Sequence, residues 1–157
     1  MLEILFVCHG NICRSPMAEF VMKDCLRARG LADRVHVESA ATSTEELGNP
    51  VHRGTRKILV AKGIDCSGKT ARQMSRADYE RYDMLIGMDE ENVRRMKAIC
   101  GGDPDSKISK LLAFAGSSRS IADPWYTGDF EATWQDVLAG CQGLLRELLQ
   151  ERGEQNG

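Results

Sequence analysis

Ile4-Leu5-Phe6-Val7-Cys8-His9-Gly10-Asn11-Ile12-Cys13-Arg14-Ser15-Pro16 is the stretch on which the fold turns. Ile4 to Val7 is a short continuous apolar run, the kind buried on both faces in a parallel sheet. A glycine-containing loop follows, and Ser15-Pro16 opens a helix, because serine suits the cap and proline the first turn. Ala18, Val21, Met22, Cys25 and Leu26 then recur at helical spacing, and Gly30 marks the stop. Further along, Val35 to Ser39 reads as a second strand, and a loop rich in Thr, Ser, Gly and Asn runs to Pro50. A helix with Val51, Ile58 and Leu59 inward comes next. Residues 83–88 read as a third strand, 90–99 as a helix and 108–112 as a fourth strand. Trp134, Val137, Leu138, Cys141, Leu145, Leu148 and Leu149 form one apolar stripe, which predicts a long last helix. Strands alternating with helices predict an α/β layered fold with a small parallel sheet and right-handed crossovers. In such sheets ligands bind beyond the carboxyl ends of the strands, which is where the Cys8–Arg14 loop falls.

The whole chain has 157 residues, 42% of them apolar and 28% charged, the balance of a water-soluble globular protein. A chain of this length buries about 70% of the surface its unfolded form exposes, enough for one core. Its longest strongly apolar run is far short of the roughly 20 residues that cross a bilayer, and Met1-Leu2-Glu3 opens it without a basic region or a cleavage site. The expectation is a cytoplasmic protein with no membrane association. A net charge of -2, with basic residues spread along the chain, gives no reason to expect nucleic acid. The six cysteines are read as thiols in a reducing compartment, and with the three histidines they make no zinc-ligand pattern. No metal and no cofactor are expected.

Cys-x5-Arg occurs twice, at Cys8–Arg14 and at Cys66–Arg72. Context separates the two, since only the first has an apolar strand before it and a Ser-Pro helix start after it. A five-residue loop there curls so that its N–H groups point inward, a nest for a tetrahedral oxyanion with the helix dipole behind it. Inward N–H groups, a helix N-terminus and Arg14 all favour negative charge on sulfur, which makes Cys8 the candidate nucleophile. Arg14 offers a planar fork for two phosphoryl oxygens, and Ser15 a hydroxyl for the Cys8 sulfur. Gly10 permits a positive φ, and Asn11 tolerates one while its amide pins the loop. The phosphate-binding set is therefore His9, Gly10, Asn11, Ile12, Cys13, Arg14 and Ser15.

Val7 to Pro16 resembles the phosphate-binding loop of the low-molecular-weight protein tyrosine phosphatases. The likeness continues through Ser39-Ala40-Ala41-Thr42-Ser43, Gly48-Asn49-Pro50, Ala71-Arg72-Gln73, Met88-Asp89-Glu90-Glu91-Asn92 and Asp123-Pro124-Trp125-Tyr126. It implies one such domain over 1–157, with 151–157 as a fraying tail. The implied fold is a four-stranded parallel sheet in order 2-1-3-4 with helices on both faces. The implied reaction is phosphate monoester hydrolysis through a cysteinyl-phosphate, without metal. Phosphotyrosine proteins are the implied partners, and the protein is expected to act as a monomer or weak dimer.

An aryl leaving group needs a proton donor, and the chain offers two Asp-Pro pairs, Asp103-Pro104 and Asp123-Pro124. The resemblance selects Asp123, with Trp125 and Tyr126 beside it as a pocket wall. It also makes Cys13 the partner that bonds to an oxidised Cys8, and puts His9 where relatives often carry leucine. Lys69 stands where many relatives carry a histidine that helps order Asn11. Glu45 stands near an aromatic position of relatives, so Ile12, Glu45, Trp125 and Tyr126 form the expected substrate pocket. Phosphatases of this fold that accept phosphoarginine carry threonine at the place of Ile12, which makes arginine phosphatase the alternative. A different enzyme class competes through Gly63–Thr70, a literal G-x4-G-K-T nucleotide loop. That motif needs a buried strand before it, whereas Arg56 to Lys62 reads as a helix.

Overall fold

The computed structural model describes residues 1–156, with side chains to Glu151. Four strands, β1 (Leu2–Cys8), β2 (Val35–Ala41), β3 (Met84–Gly87) and β4 (Ile108–Lys110), form one parallel sheet in the order 2-1-3-4. The six α-helices are α1 (Arg14–Ala28), α2 (Arg53–Ala61), α3 (Arg76–Arg81), α4 (Glu90–Cys100), α5 (Pro124–Thr127) and α6 (Phe130–Asn156).

The apolar run at the start of the chain becomes the central strand for the reason its composition suggests. Ile4, Leu5, Phe6 and Val7 are each fully buried, because successive side chains feed opposite layers. Ile4, Phe6 and Cys8 join the core formed with Met17, Val21 and Met22 of α1 and Val137, Cys141 and Leu144 of α6. Leu5 and Val7 join a second core with Met74, Tyr79, Tyr82, Met96 and Cys100, on the side of α3 and α4. Strand β1 pairs with β2 from Leu2↔Val35 to Cys8↔Ala41, and with β3 from Ile4↔Met84 to Val7↔Gly87. Cys8 is thus the last residue of the inner strand, at its carboxyl end, where the parallel ladder stops and the loop begins.

Several element boundaries differ from the sequence expectations. The first helix starts at Arg14, not at a Ser15 cap; Cys13 is the cap and offers no side-chain bond. Ser15 is drawn inside because its N–H and hydroxyl are engaged by the Cys8 sulfur. Strand β4 ends at Lys110 rather than 112, and residues Leu111–Ala115 turn into a 3-10 helix. The cause lies in α6. A Cβ at Gly140 would stand 2.4 Å from Leu111, and one at Gly143 would stand 2.1 Å from the Phe114 carbonyl oxygen. Two missing side chains let this turn settle directly on the helix, burying Leu111 and Leu112. Helix α6 runs to Asn156, and Gly157 lies outside the described residues. Helices α3 and α5 were not read from the sequence, being too short to show a period.

Candidate active site

The loop from Cys8 to Arg14 wraps around the Cys8 sulfur. Asn11 N–H and Ser15 N–H donate to Sγ at 3.3 and 3.4 Å, and the Ser15 Oγ lies 3.0 Å from it. Asn11 Nδ2 donates to that same Ser15 oxygen at 2.8 Å, and the hydroxyl proton has two acceptors within reach, the Cys8 sulfur and, at 3.5 Å, the Ala40 carbonyl. Cys8 is 3% exposed, so these donors act where water screens little and favour negative charge on the atom.

Such a loop requires one residue in the left-handed region, and Asn11 takes it at φ 60°. That conformation costs an L-residue about 1–2 kcal/mol, and the surroundings hold it in place. Asn11 Nδ2 also donates to Ser39 Oγ (2.9 Å), and Asn11 Oδ1 accepts from Arg72 N–H (3.2 Å). Ser39 Oγ in turn donates to the buried Glu19 carboxylate at 2.6 Å. Lys69 Nζ closes the network 2.8 Å from the Ser39 carbonyl oxygen and 3.3 Å from Glu19. Lys69 therefore supports Asn11 at one remove, through Ser39 and Glu19. The outer rim of the loop is tied to α2: His52 N–H donates to the Ile12 carbonyl (2.8 Å) and Thr55 Oγ1 to the Cys13 carbonyl (3.1 Å).

Arg14 is buried and held along one edge of its guanidinium. Its Nη1 donates to Asp89 Oδ2 (2.7 Å) and to the Ile121 carbonyl (2.9 Å), and its Nη2 lies 3.4 Å from Asp123 Oδ2. Burial alone would make the guanidinium easier to deprotonate, but negative charge on Cys8 and the bonds to Asp89 and Asp123 outweigh it and raise its pKa. Asp89 is itself anchored as the cap of α4, accepting from Asn92 N–H at 2.7 Å. Asp123 caps α5, its Oδ1 accepting from Trp125 N–H at 3.0 Å. The structure thus brings Cys8, Arg14 and Asp123 together.

A cavity of about 100 Å³ opens over them, lined by Cys8, His9, Gly10, Ile12, Cys13, Arg14, Glu45, Glu46, Asp123, Trp125 and Tyr126. Asn11 and Ser15, from the phosphate-binding set, instead lie beneath the loop and hold it. His9 Nε2 and Glu45 Oε2 meet at 3.0 Å across the mouth. Trp125 and Tyr126 stand out from the rim, 57% and 83% exposed, rather than packing in the core. Burial, and after it the charge of Cys8, pushes the Cys13 thiol up to about 12, so Cys13 stays protonated.

The other sequence candidates fall elsewhere. Gly63–Thr70 follows a helix, α2, with no strand before it, and Lys69 is spent on Glu19 and the Ser39 carbonyl. That removes the nucleotide-loop reading. Asp103 accepts from Tyr79 OH, Lys107 N–H and Ile108 N–H and serves the turn into β4. Sequence reasoning missed Asp89, Glu19, Ser39 and Thr55 as parts of the site. Asp89 and Ser39 both lie in stretches that carry the resemblance, Asp89 also as a helix-opening Asp followed by Glu-Glu-Asn; Glu19 and Thr55 act through tertiary contacts.

A thiol at the end of a central parallel strand, cradled by N–H groups beneath a phosphate-sized opening and flanked by an arginine and an aspartate, defines a cysteine-based phosphate hydrolase. Comparison with known proteins narrows the class. Residues 3–154 match the model of the low molecular weight phosphotyrosine protein phosphatases, and the chain belongs to that family. It is 40% identical over 154 residues to the low molecular weight protein-tyrosine-phosphatase YfkJ of Bacillus subtilis, covering 97% of this chain and 99% of that one. The crystal structure of YfkJ superposes with a TM-score of 0.93 over 96% of each chain. The phosphatase SP-PTP of Streptococcus pyogenes shares 44% identity at a TM-score of 0.84, covering 94% of this chain and 93% of that one. The Drosophila arginine phosphatase DARP has the same fold at 27% identity and a TM-score of 0.86, over 94% of this chain and 98% of that one. The chain is accordingly an enzyme, a phosphoric monoester hydrolase. None of the described helices is long and apolar enough to cross a membrane.

Proposed function

We propose that the protein hydrolyses phosphotyrosine in protein substrates, with Cys8 as nucleophile, Arg14 as phosphoryl clamp and Asp123 as proton donor and acceptor. The observation that carries this reading is the convergence of two N–H donors and the Ser15 hydroxyl on Cys8 Sγ directly below the cavity, with Arg14 and Asp123 at its wall. In the first step the sulfur's electron pair forms an S–P bond. The P–O bond to the phenol breaks, its electron pair goes to oxygen, and the Asp123 carboxyl supplies the proton. In the second step the Asp123 carboxylate takes a proton from water as the water oxygen bonds to phosphorus. The S–P pair returns to Cys8, where the Ser15 hydroxyl and the two N–H groups receive the charge.

Tyrosine is favoured by the shape of the opening. Ile12 offers an apolar branch at its side, and the Trp125 and Tyr126 rings stand where a flat aryl group enters. A phosphoarginine substrate would bring a guanidinium to the same apolar wall. Glu45 and Glu46 line the mouth and add negative charge, which selects phosphopeptides with basic neighbours.

The test is hydrolysis of phenyl phosphate in EDTA by wild type and Cys8→Ser, followed by matched peptides carrying phosphotyrosine, phosphoarginine or phosphoserine. The wild type should turn over with EDTA present and Cys8→Ser should be inactive while still binding inorganic phosphate. Substantial activity in Cys8→Ser overturns the thiol mechanism, and faster turnover of phosphoarginine overturns the substrate assignment.

A further inference from the structure

His52 joins the two halves of the site. Its backbone N–H holds the Ile12 carbonyl of the phosphate loop at 2.8 Å, while its ring packs against the loop that carries Asp123. The imidazole lies flat on Phe130, with ring centres 5.1 Å apart at 14°, and meets Trp125 edge-on at 5.7 Å and 80°. Trp125 is the residue whose N–H fixes the Asp123 carboxylate (3.0 Å), and Phe130 begins the helix that follows that loop. The space for this stack is built into the chain. A Cβ at Gly54 would stand 2.5 Å from the Phe130 ring, so only glycine lets Phe130 reach the start of α2. The imidazole has a second task at its other edge: Nδ1 accepts from Gly54 N–H at 3.0 Å and caps α2.

We infer that His52 is a positioning residue for proton transfer: its ring, through Trp125 and Phe130, sets Asp123 over the phosphate loop. The inference rests on the reading of Asp123 as proton donor. Aromatic contacts of this kind favour a fixed ring geometry beyond what their buried area gives. That suffices to hold a short exposed loop in one place, and a misplacement of an ångström is costly to a proton transfer.

The two tasks of His52 separate by substitution. His52→Asn keeps a side-chain oxygen to cap Gly54 N–H and removes the ring; His52→Phe keeps a ring and removes the acceptor. The quantity to read is kcat/KM for phenyl phosphate, whose leaving group needs a proton, against 4-nitrophenyl phosphate, whose leaving group does not. Melting temperature is measured beside it. His52→Asn should melt near wild type, lose roughly tenfold on phenyl phosphate and change less than about twofold on 4-nitrophenyl phosphate. His52→Phe should melt lower yet keep the wild-type ratio of the two esters. A wild-type ratio in His52→Asn, or equal losses on both esters in both variants, overturns the inference. Asp123→Ala is run in parallel. If it too loses both esters equally, the failure belongs to the proton-donor reading, and if it discriminates while His52→Asn does not, the failure belongs to His52 alone.

Discussion

Ser39→Ala removes the one hydroxyl that links the phosphate loop to the buried charge behind it, and the structure sets how much that should cost. Ser39 is fully buried, Asn11 is 1% exposed and Glu19 is 3% exposed, so water cannot replace what is lost. Two bonds disappear: Asn11 Nδ2 to Ser39 Oγ at 2.9 Å, and Ser39 Oγ to the Glu19 carboxylate at 2.6 Å. The first is neutral and contributes about 0.5–1.5 kcal/mol, while the second is charge-assisted and contributes about 1.5–3 kcal/mol. Neither partner is left bare, because Asn11 keeps Ser15 and Arg72, and Glu19 keeps Lys69 and Lys23. A loss of about 2–4.5 kcal/mol follows, or a fall in melting temperature of roughly 4–18 °C for a domain of this size. With Asn11 less firmly held at φ 60°, its N–H aims less well at Cys8, and kcat/KM for phenyl phosphate should drop roughly tenfold. Thermal unfolding by circular dichroism and initial rates on one preparation measure both. A melting temperature within about 2 °C of wild type together with unchanged rates would show that Ser15 and Arg72 alone hold Asn11, and the network behind Ser39 would lose its assigned role.

Three further outcomes are expected. Asp123→Ala should reduce kcat/KM for phenyl phosphate by about 10² to 10⁴-fold and spare 4-nitrophenyl phosphate, whereas Asp103→Ala should leave both rates unchanged; equal losses on both esters refute the role of Asp123. Asp103 should matter to stability instead: burial would raise its pKa, but the bonds from Tyr79, Lys107 and Ile108 outweigh it and lower the pKa. Its contribution is therefore complete above the unfolded value of about 3.9 and lost as pH falls through the lower folded one, so Asp103→Ala should flatten the acid limb of the stability curve; an unchanged limb refutes this. Peroxide should inactivate the enzyme reversibly: Cys8 is oxidised to the sulfenic acid, and the Cys13 thiol displaces water to form the disulfide, which added thiol reduces. Cys13→Ser should keep activity and lose recovery, and a mass spectrum joining Cys8 to any other cysteine refutes the pairing.

What could be read directly from the residues was whatever lies close together along the chain. The apolar run before Cys8, the loop length and the helical spacing after Ser15 placed the central strand and marked Cys8 and Arg14 as candidates without any partner in view. Asp123 was harder, since Asp103-Pro104 and Asp123-Pro124 look alike locally. Only their tertiary surroundings differ: one carboxylate faces Arg14, and the other is consumed by the turn into β4. Glu19 reads as an ordinary polar residue of an amphipathic helix, and nothing nearby reveals that Lys69, fifty residues later, arrives to pair with it. The 3-10 turn after β4 was misread as strand because Leu111 and Leu112 are apolar in either conformation. The deciding fact, two glycines on α6, lies some thirty residues downstream.

The engagement of Arg14 has a consequence for the traffic of anions. With Asp89, the Ile121 carbonyl and Asp123 all around it, the guanidinium is never a bare cation waiting in a pocket. An arriving anion must rival the carboxylate that already stands nearest the outer edge of the guanidinium, Asp123 at 3.4 Å. Chloride or acetate, with one charge and no tetrahedral set of oxygens, offers little more than the resident carboxylate. A phosphate dianion brings a second charge and further oxygens for the loop N–H groups, and so wins the exchange. Filtering by displacement of this kind would keep the enzyme free among the monovalent salts of its surroundings, with discrimination set by the strength of an internal competitor rather than by the width of the opening.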